Sequence, residues 1–357
     1  MASPRSRIER VVKRFSKLAS AAVLLLPMGG QAAVQEDLAR CAAIGSASER
    51  LACYDTLAQE NQPPDAPGAE PPPPDAPVPE PAPVPQKATE REPPSMSRHW
   101  ELGRNEGVFR FRNHKPIYIL PGRYSGHPNQ RPLSALVPGQ PDADEDLDNT
   151  EAKFQLSFKL KMIEGLFGER SDLWLGYTQQ SHWQVYNGAI SRPFRETDYE
   201  PELMLVIRTG YDLFGLRGRF LNLGLVHQSN GRAEPLSRSW NRVYLQAGLE
   251  RGGFGLYLRP WYRIEESRED DDNPDIEDYY GHGDIVLQYH THGHTLAALV
   301  RGNVREGNGA VQLDWTFPLY GPLRGYVQGF TGYGESLIDY NHEQTTVGAG
   351  LSFSEWF

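Results

Sequence analysis

The sequence predicts an all-β protein: a 12-stranded antiparallel transmembrane β-barrel, preceded by a small helical cysteine segment and a proline-rich linker. From about residue 113, apolar and polar residues alternate with a period of two, which is typical of strands with one apolar and one polar face. Most of these segments are about 10 residues long, the length that a tilted strand needs to cross a bilayer. Short and long connections alternate between them, as expected for periplasmic turns and external loops.

The segment from Phe154 to Met162 illustrates the alternation, because every second residue is apolar and those between are glutamine, serine or lysine. In a soluble sandwich the polar face would meet water, whereas in a membrane barrel it faces the lumen and the apolar face meets lipid. A hydrophobic content of 39% and a mean hydropathy of -0.57 exclude a bundle of transmembrane helices. A net charge of -10 argues against a nucleic-acid binder, which needs a basic face.

The twelve predicted strands lie near residues 113–121, 153–163, 173–186, 200–211, 219–229, 239–250, 254–265, 278–290, 294–304, 309–318, 323–333 and 344–356. The predicted short turns are 251–253, 291–293 and 319–322, and the predicted long loops are 187–199, 230–238 and 266–277. An even strand number places both chain ends on one side. The last strand ends on Phe357 in its apolar phase, like the assembly signal of bacterial outer-membrane proteins, although Glu355 interrupts that face.

Residues 1–33 are predicted to be a secretory signal peptide. A basic stretch is followed by an apolar run from Leu18 to Leu26 and then by small residues up to Ala33, which is the order typical of such peptides. The alternative is a single membrane anchor, but an anchor needs about 20 apolar residues and this run is far shorter. We therefore expect the chain to be exported.

Residues 34–60 have a helix-forming composition and contain Cys41 and Cys53. In an oxidising periplasm we expect these cysteines to pair and staple a small helical hairpin; the alternative, a metal site, would lack a nearby histidine. Residues 61–96 hold 14 of the 29 prolines and are predicted to form a disordered, extended spacer. Residues 97–357 remain for the barrel, so the cysteine segment is expected to lie apart from it in the periplasm.

Polar residues interrupt the predicted lipid face of one hairpin. On strand 219–229, His227 and Ser229 continue the phase of three leucines, and on the next strand Asn241 shares the phase of the apolar residues that follow it. Pairing the two strands antiparallel about their connecting loop places Asn241 opposite His227, with Cβ atoms about 5 Å apart. A serine, a histidine and an amide therefore gather on a surface expected to be hydrocarbon.

Polar groups that face lipid are costly and need an explanation. Catalysis supplies one, with Ser229 as the nucleophile, His227 as its base and Asn241 fixing the orientation and tautomer of the imidazole. A neutral amide orients the ring but does not stabilise an imidazolium as a carboxylate would. The alternative is that His227 and Ser229 lie at the wet rim of a non-catalytic outer-membrane barrel, a channel or a scaffold.

The chain resembles the outer membrane phospholipase A family around this hairpin. The matching stretches are 227–232 (His-Gln-Ser-Asn-Gly-Arg), 237–242 (Ser-Arg-Ser-Trp-Asn-Arg), 193–197, 272–275 and 332–340. The resemblance covers about Lys115 to Phe357 and leaves out the cysteine segment and the linker. It implies an enzyme of the bacterial outer membrane that uses calcium to hydrolyse acyl esters (sn-1 and sn-2) of phospholipids and lysophospholipids. It also implies a homodimer when active and a monomer when resting.

The same resemblance implies roles for single residues. It assigns Ser229, His227 and Asn241 as the triad, and the Gly231 amide, with a calcium-held water, as the oxyanion hole. Gln179 matches a polar residue of the family's dimer interface. Its own phase predicts that Gln179 faces lipid, where an amide seeks a partner that a second subunit can offer.

The implied calcium ligands lie on three predicted long loops. They are the Arg232 carbonyl, Ser237 and Ser191 of the partner subunit, with Asp272 matching a residue that binds calcium in the monomeric form. All are oxygen donors, which calcium prefers.

Other motifs make poorer sites. His290, His292 and His294 alternate through a tight turn, but no carboxylate or cysteine completes a metal site there, and a solvated turn is the simpler interpretation. His342-Glu343 lacks the second histidine of a zinc-protease helix. No Gly-x-Ser-x-Gly elbow occurs, which argues against a soluble α/β-hydrolase.

Overall fold

The computed structural model describes residues 40–41, 43–44, 46–60, 96–103, 107–132, 145–267, 269–321 and 323–354. The predicted signal peptide, nearly all of the proline-rich linker, and the terminal residues Glu355 and Phe357 lie outside the described residues. The chain divides into two units, Met1–Pro85 and Gln86–Phe357.

The first unit contains helix α1, Ala47–Glu60. Cys41 and Cys53 form a disulfide with Cα atoms 5.6 Å apart, which confirms the predicted pairing over the metal site. Within the part of the chain that the structure describes, every helix is too short or too polar to span a membrane.

The second unit contains the short helices α2 (Met96–His99) and α3 (Ile276–Tyr280) and a large sheet. Its strands are β1 Phe111–Asn113, β2 Ile117–Ser125, β3 Thr150–Glu164, β4 Ser171–Trp183, β5 Phe194–Arg208, β6 Asp212–Leu213, β7 Leu216–Ser229, β8 Ser239–Arg251, β9 Phe254–Ile264, β10 Gly283–Thr291, β11 His294–Asn303, β12 Asn308–Tyr320, β13 Leu323–Tyr333 and β14 Glu343–Ser354.

Twelve of these strands close into an antiparallel barrel. Neighbours in sequence pair in turn, β2 pairs with both β3 and β14, and β3 also pairs with β4. The short strands β1 and β6 add to β3 and β7 without joining the ring. Because the ring is complete, the twelve strands leave no unpaired sheet edge, as lipid requires. The predicted fold class is confirmed.

Three predicted boundaries are wrong. The first predicted strand, 113–121, is β2 at 117–125, with β1 before it. The eighth, 278–290, begins only at residue 283, because Ile276 and Tyr280 are buried one helical turn apart in α3. The predicted loop 187–199 ends at Phe194, where β5 starts. A bulge at this end buries the neighbouring Arg195 and Glu196 together, so the alternation that marks a strand is broken there.

The barrel is apolar outside and polar inside. Leu156, Leu223 and Leu313 on the outer wall are 49%, 49% and 57% exposed, whereas Lys153 and Lys159 inside are fully buried. This pattern is the reverse of a soluble sandwich and is that of a membrane barrel.

Segments at both ends of the barrel enter the lumen. At the end with short turns, the Trp100 ring that follows α2 packs under Lys159, whose Nζ lies 3.5 Å from the ring centroid, and the Met96 amide donates to Glu250 Oε2 at 2.8 Å. At the other end, the loop 334–342 folds inward and its Glu335 contacts Lys153 and Arg123. A cavity of about 120 Å³ remains in the lumen.

Glu335→Gln tests the inward loop, because it keeps the volume and removes the charge. Burial alone would raise the pKa of Glu335, but the Arg123 and Lys153 charges more than offset this and hold the pKa below its usual range. A depressed folded-state pKa stabilises the fold above the unfolded value of about 4.3 and loses that stability as the pH falls through the folded value. We expect wild-type barrel unfolding in detergent, followed by heat-modifiable gel mobility, to shift to lower temperature below about pH 4.

The variant should unfold at lower temperature at neutral pH, since breaking a buried ion pair costs about 3–5 kcal/mol, and should depend less on acid. Glu306→Gln, in the exposed turn before β12, is the matched control and should behave as wild type. Equal stability of the two variants would contradict the proposed ion-pair role of Glu335.

Candidate active site

The β7–β8 hairpin brings the predicted triad residues to the outer wall. His227 lies directly opposite Asn241 in the strand pairing, and Ser229 lies opposite Ser239, which confirms the predicted register. His227 is exposed and Ser229 is partly exposed, in phase with Leu223 and with Leu225, which is 48% exposed. The predicted outward direction of both side chains is therefore confirmed.

The imidazole of His227 is held by the Asn241 amide. His227 Nδ1 lies 2.9 Å from Asn241 Oδ1, and because a carbonyl oxygen only accepts, Nδ1 carries the proton. Nε2 is then left as the basic nitrogen. Ser229 follows two residues later on the same face, with Cα atoms roughly 6.6 Å apart. The described residues show no Ser229–His227 hydrogen bond, and such bonds often tighten only in the reacting complex.

Glu266, which the sequence pattern alone did not single out, contacts the other end of the Asn241 amide. Asn241 Nδ2 donates to Glu266 Oε1 at 2.6 Å. Glu266 lies just beyond β9, in the predicted loop 266–277. The register gives the signal that could have found it: Ile264 pairs with Asn241, and Glu266 is the next residue in the same outward phase.

The inward residues of the motif support the hairpin from behind. Gln228 Oε1 accepts hydrogen bonds from Trp240 Nε1 at 3.0 Å and Arg242 Nη2 at 2.9 Å. Asn230 is buried, and its Oδ1 accepts from the amides of Arg232 at 3.2 Å and Arg238 at 3.0 Å. His227 and Ser229 therefore point outward as candidate catalytic residues, whereas Gln228 and Asn230 point inward and hold the hairpin in place.

Gly231 follows directly after Asn230 in the sequence. Its φ of +65° lies in the left-handed region, where a glycine is favoured. Its amide N–H donates to no acceptor among the residues that the structure describes. A backbone N–H with no acceptor, two residues after Ser229 in the sequence, is the type of group that forms an oxyanion hole.

Two of the four predicted calcium ligands meet in this chain. Ser237 Oγ donates to Asp272 Oδ2 at 2.5 Å, so the loops 230–238 and 265–282 touch at these oxygens. Arg232 belongs to the same loop as Ser237, and its Nη1 donates to the Arg195 carbonyl at 2.9 Å. Ser191 is exposed on the loop 184–193 with a φ of +64°, and within the described residues it makes no bond to the other three.

The donors around Ser237 and Asp272 are hydroxyl, carbonyl and carboxylate oxygens. Across the described ranges no group of three or more His, Cys, Asp or Glu side chains is placed to hold a metal. Any cation here would therefore rely on serine and backbone oxygens as well as on Asp272, a set that suits a hard cation such as calcium.

Gln179 lies in the same row of residues as the candidate nucleophile. It pairs with Tyr199, which pairs with Ser229, so two strand spacings, roughly 10 Å, separate Gln179 from Ser229. Its side chain is half-buried on the outer wall and bonds along its own strand, accepting from Tyr177 Oη at 3.1 Å and donating to Ser181 Oγ at 3.3 Å.

The histidines near the tight turn have ordinary partners. His290 Nδ1 lies 3.0 Å from Thr295 Oγ1, and Trp315 Nε1 donates to His294 Nδ1 at 3.3 Å. His342 Nε2 lies 2.8 Å from the His127 carbonyl, in the loop that fills one end of the lumen.

Comparisons with known proteins point to one family. A family model described as phospholipase A1 matches residues 96–353. A protein of Neisseria meningitidis serogroup B, provisionally named a phospholipase A1, is 40% identical over 366 residues, which cover 93% of this chain and 94% of that protein. Phospholipase A1 of Escherichia coli K12 is 41% identical over 213 residues, 60% of this chain and 73% of that protein.

Two solved structures share the fold. Outer membrane phospholipase A from Escherichia coli superposes with a TM-score of 0.64 at 37% identity, covering 70% of this chain and 100% of its own. The Salmonella typhi outer membrane phospholipase, a dimer with bound calcium, gives a TM-score of 0.65 at 35% identity, covering 74% of this chain and 98% of its own.

The hairpin geometry predicts a single activated serine. We expect an alkyl sulfonyl fluoride to modify Ser229, and Ser229→Ala and His227→Ala to lose the label because the nucleophile or its base is gone. Ser239→Ala is the matched control, since Ser239 faces Ser229 across the strand pair and should leave labelling intact. Peptide mapping by mass spectrometry measures the site, and a label on any other serine contradicts the assignment.

Proposed function

This chain belongs to the phospholipase A1 family, as an outer-membrane β-barrel enzyme, and from that premise we propose that Ser229, His227 and Asn241 hydrolyse acyl esters on its lipid-facing wall. The substrates are the sn-1 and sn-2 esters of phospholipids and lysophospholipids. The observation that carries the proposal is the 2.9 Å bond between His227 Nδ1 and Asn241 Oδ1 on the outward face.

The reaction follows from the position of each group. His227 Nε2 takes the proton of Ser229 as the hydroxyl oxygen attacks the acyl carbonyl, and then gives it to the departing glycerol oxygen. An activated water repeats the sequence on the acyl-enzyme and releases the fatty acid. Asn241 keeps the imidazole in the required tautomer throughout. Because Ser229 closes β7 at the end with long loops, its hydroxyl lies where ester carbonyls of lipids meet the headgroups.

When Ser229 attacks the ester, negative charge develops on the acyl carbonyl oxygen. A hydrogen-bond donor near the end of β7 is needed to stabilise that charge. The Gly231 amide fits, since it follows Ser229 by two residues and has no acceptor within the described chain. Losing one such donor costs about 2.7–4 kcal/mol of transition-state stabilisation in comparable enzymes.

Calcium suits the oxygen donors of the loops that follow β7 and β9. In the dimer the Arg232 carbonyl, Ser237 and Ser191 of the partner subunit would hold the ion, and in the monomer Asp272 would bind it. The support is the Ser237–Asp272 contact, two oxygen donors brought together from separate loops. When bound, the ion supplies positive charge and a polarised water next to the oxyanion.

The alternative function, a non-catalytic channel or scaffold, has less support. Trp100 occupies the lumen at one end and Glu335 at the other, which narrows any path for a solute. A scaffold would have no use for a hydrogen-bonded histidine–amide pair on a wall that faces lipid.

Dimerisation would regulate the enzyme. In a homodimer two outer walls meet, Ser191 of the partner subunit reaches the calcium site, and the acyl chain lies in a groove deeper than one convex wall provides. A lone barrel would remain at rest, which protects the host membrane. Gln179 lies in the row of Ser229, and in the dimer its amide can exchange bonds with the second subunit.

Fatty-acid release from detergent-dispersed phosphatidylcholine tests the function. We expect release with calcium and little with a chelator, and Ser229→Ala should lose at least about 10⁴-fold, the scale of nucleophile removal. Asn241→Ala should lose less than His227→Ala, because it moves no proton. Asp272→Ala should raise the calcium concentration needed for half activity. An equally active Ser229→Ala, with the barrel folded by gel mobility, would refute the proposal.

Gln179→Ala tests the dimer. We expect a weaker calcium-dependent dimer in analytical ultracentrifugation in detergent, because an interfacial amide is lost, while heat-modifiable mobility stays that of a folded barrel. Thr331→Ala, on the outer wall of β13, is a control for loss of a polar group elsewhere. A monomer–dimer equilibrium unchanged by Gln179→Ala would mean that Gln179 plays no part in assembly.

A further inference from the structure

The carboxylate of Glu266 gives the amide of Asn241 a second, charged partner. Building on the proposed function, we infer that Glu266 is a positioning residue for the hydrolytic reaction, acting through Asn241 on His227. The chain of contacts runs from Glu266 Oε1 to Asn241 Nδ2 at 2.6 Å and from Asn241 Oδ1 to His227 Nδ1 at 2.9 Å. It joins three consecutive elements of the wall: β7, β8 and the first residues after β9.

The strand register brings Glu266 and Asn241 together. Asn241 lies between His227 on one side and Ile264 on the other. Glu266 is two residues beyond Ile264, so it continues the outward phase of β9 and reaches the amide diagonally. The second oxygen of Glu266, Oε2, is buried and has no hydrogen-bond partner among the described residues. Among the described residues, the Glu266 carboxylate therefore bonds only to the Asn241 amide.

One consequence is the orientation of the amide. The oxygen and nitrogen of an asparagine amide have nearly the same shape, so sterics alone do not decide which of them faces the histidine. A carboxylate only accepts hydrogen bonds, so Glu266 selects the orientation that turns Nδ2 to itself and Oδ1 to His227. The reverse orientation would set two donors against each other at His227 and two acceptors against each other at Glu266.

A second consequence is charge. A neutral amide cannot stabilise the imidazolium that forms when Ser229 loses its proton, as the carboxylate of a Ser-His-Asp triad does. Glu266 places a negative charge one amide further away, and a charge-assisted bond polarises the amide between them. Asn241 and Glu266 together thus provide what one aspartate provides in other triads.

The competing explanation is that Glu266 only anchors the loop 265–282, which also carries Asp272. The charged groups that face Glu266 are Arg263, Asp271 and Asp272. Arg263 is already engaged, since its Nη2 contacts Asp271 Oδ1 at 2.6 Å. Burial raises the pKa of Glu266, and the bond from Asn241 opposes this rise. A loop anchor would show itself in calcium binding, whereas a positioning residue would show itself in turnover.

Moving the carboxylate from position 266 to position 241 distinguishes a positioning role of Glu266 from a loop-anchoring role. Glu266→Gln should lower kcat by about 10- to 100-fold, the usual effect of removing a supporting partner, with KM and the half-saturating calcium concentration little changed. Asn241→Asp should lose more, because two carboxylates then meet across a 2.6 Å contact. The double variant restores the order of donors, because the new amide at position 266 donates to the new carboxylate at position 241, which also accepts from His227. Its kcat should exceed that of Asn241→Asp by at least about 10-fold.

Glu265→Gln is the matched control, because Glu265 is exposed and in the opposite phase, and it should keep wild-type kcat. Heat-modifiable mobility confirms that each variant is folded; if either single variant fails to fold, Glu266→Ala and its rescue by added acetate replace it. Wild-type kcat in Glu266→Gln, or a double variant no better than Asn241→Asp, overturns the inference. The proposed function fails separately, if wild type itself releases no fatty acid or Ser229→Ala releases as much.

Discussion

Closure of the sheet is the constraint on which the rest of this molecule depends. Lipid offers no hydrogen bonds, so every backbone donor and acceptor must pair within the barrel, and β2 completes the ring by pairing with β3 and β14. Each strand then has one face to the lumen and one to lipid. A polar side chain on the outer wall has to find its partners on that wall. His227, Asn241 and Glu266 do so, through bonds of 2.9 and 2.6 Å across adjacent strands.

The lumen provides the support that a site on an outer wall otherwise lacks. Behind His227 and Ser229, the inward Gln228 and Asn230 fix the hairpin and its loop through bonds to Trp240, Arg242 and the loop amides. Deeper in the lumen, Trp100 and Glu335 brace the wall from both ends. Outward candidate residues and inward supporting residues therefore alternate along this stretch, and the side chains inside the lumen help to position the site.

The sequence predicts much of this because a period of two leaves little freedom once one face is apolar. The strand number, the outward phase of Ser229 and the register of His227 with Asn241 all follow from it. Prediction fails near the start of β5, where a bulge at Arg195 breaks the alternation, and where a buried helical turn, α3, replaces strand residues. Contacts made by loops are also out of reach. Glu266 meets Asn241 because of the path taken after β9, and Glu335 meets Lys153 across the lumen. The proposed calcium ligands follow only from the family resemblance, since oxygens from separate loops make no local sequence pattern.

Spin-label accessibility tests whether the proposed nucleophile Ser229 and base His227 face lipid. Cys41 and Cys53 are paired, so a cysteine introduced at each position from Leu221 to Ser229 in turn takes the label alone. In bilayers, collision with lipid-soluble oxygen should be high at positions 223 and 225 and low at 224 and 226, and positions 227 and 229 should continue the high phase. If oxygen collision at positions 227 and 229 falls to the level seen at 224 and 226, both side chains face the lumen, and their outward assignment is wrong.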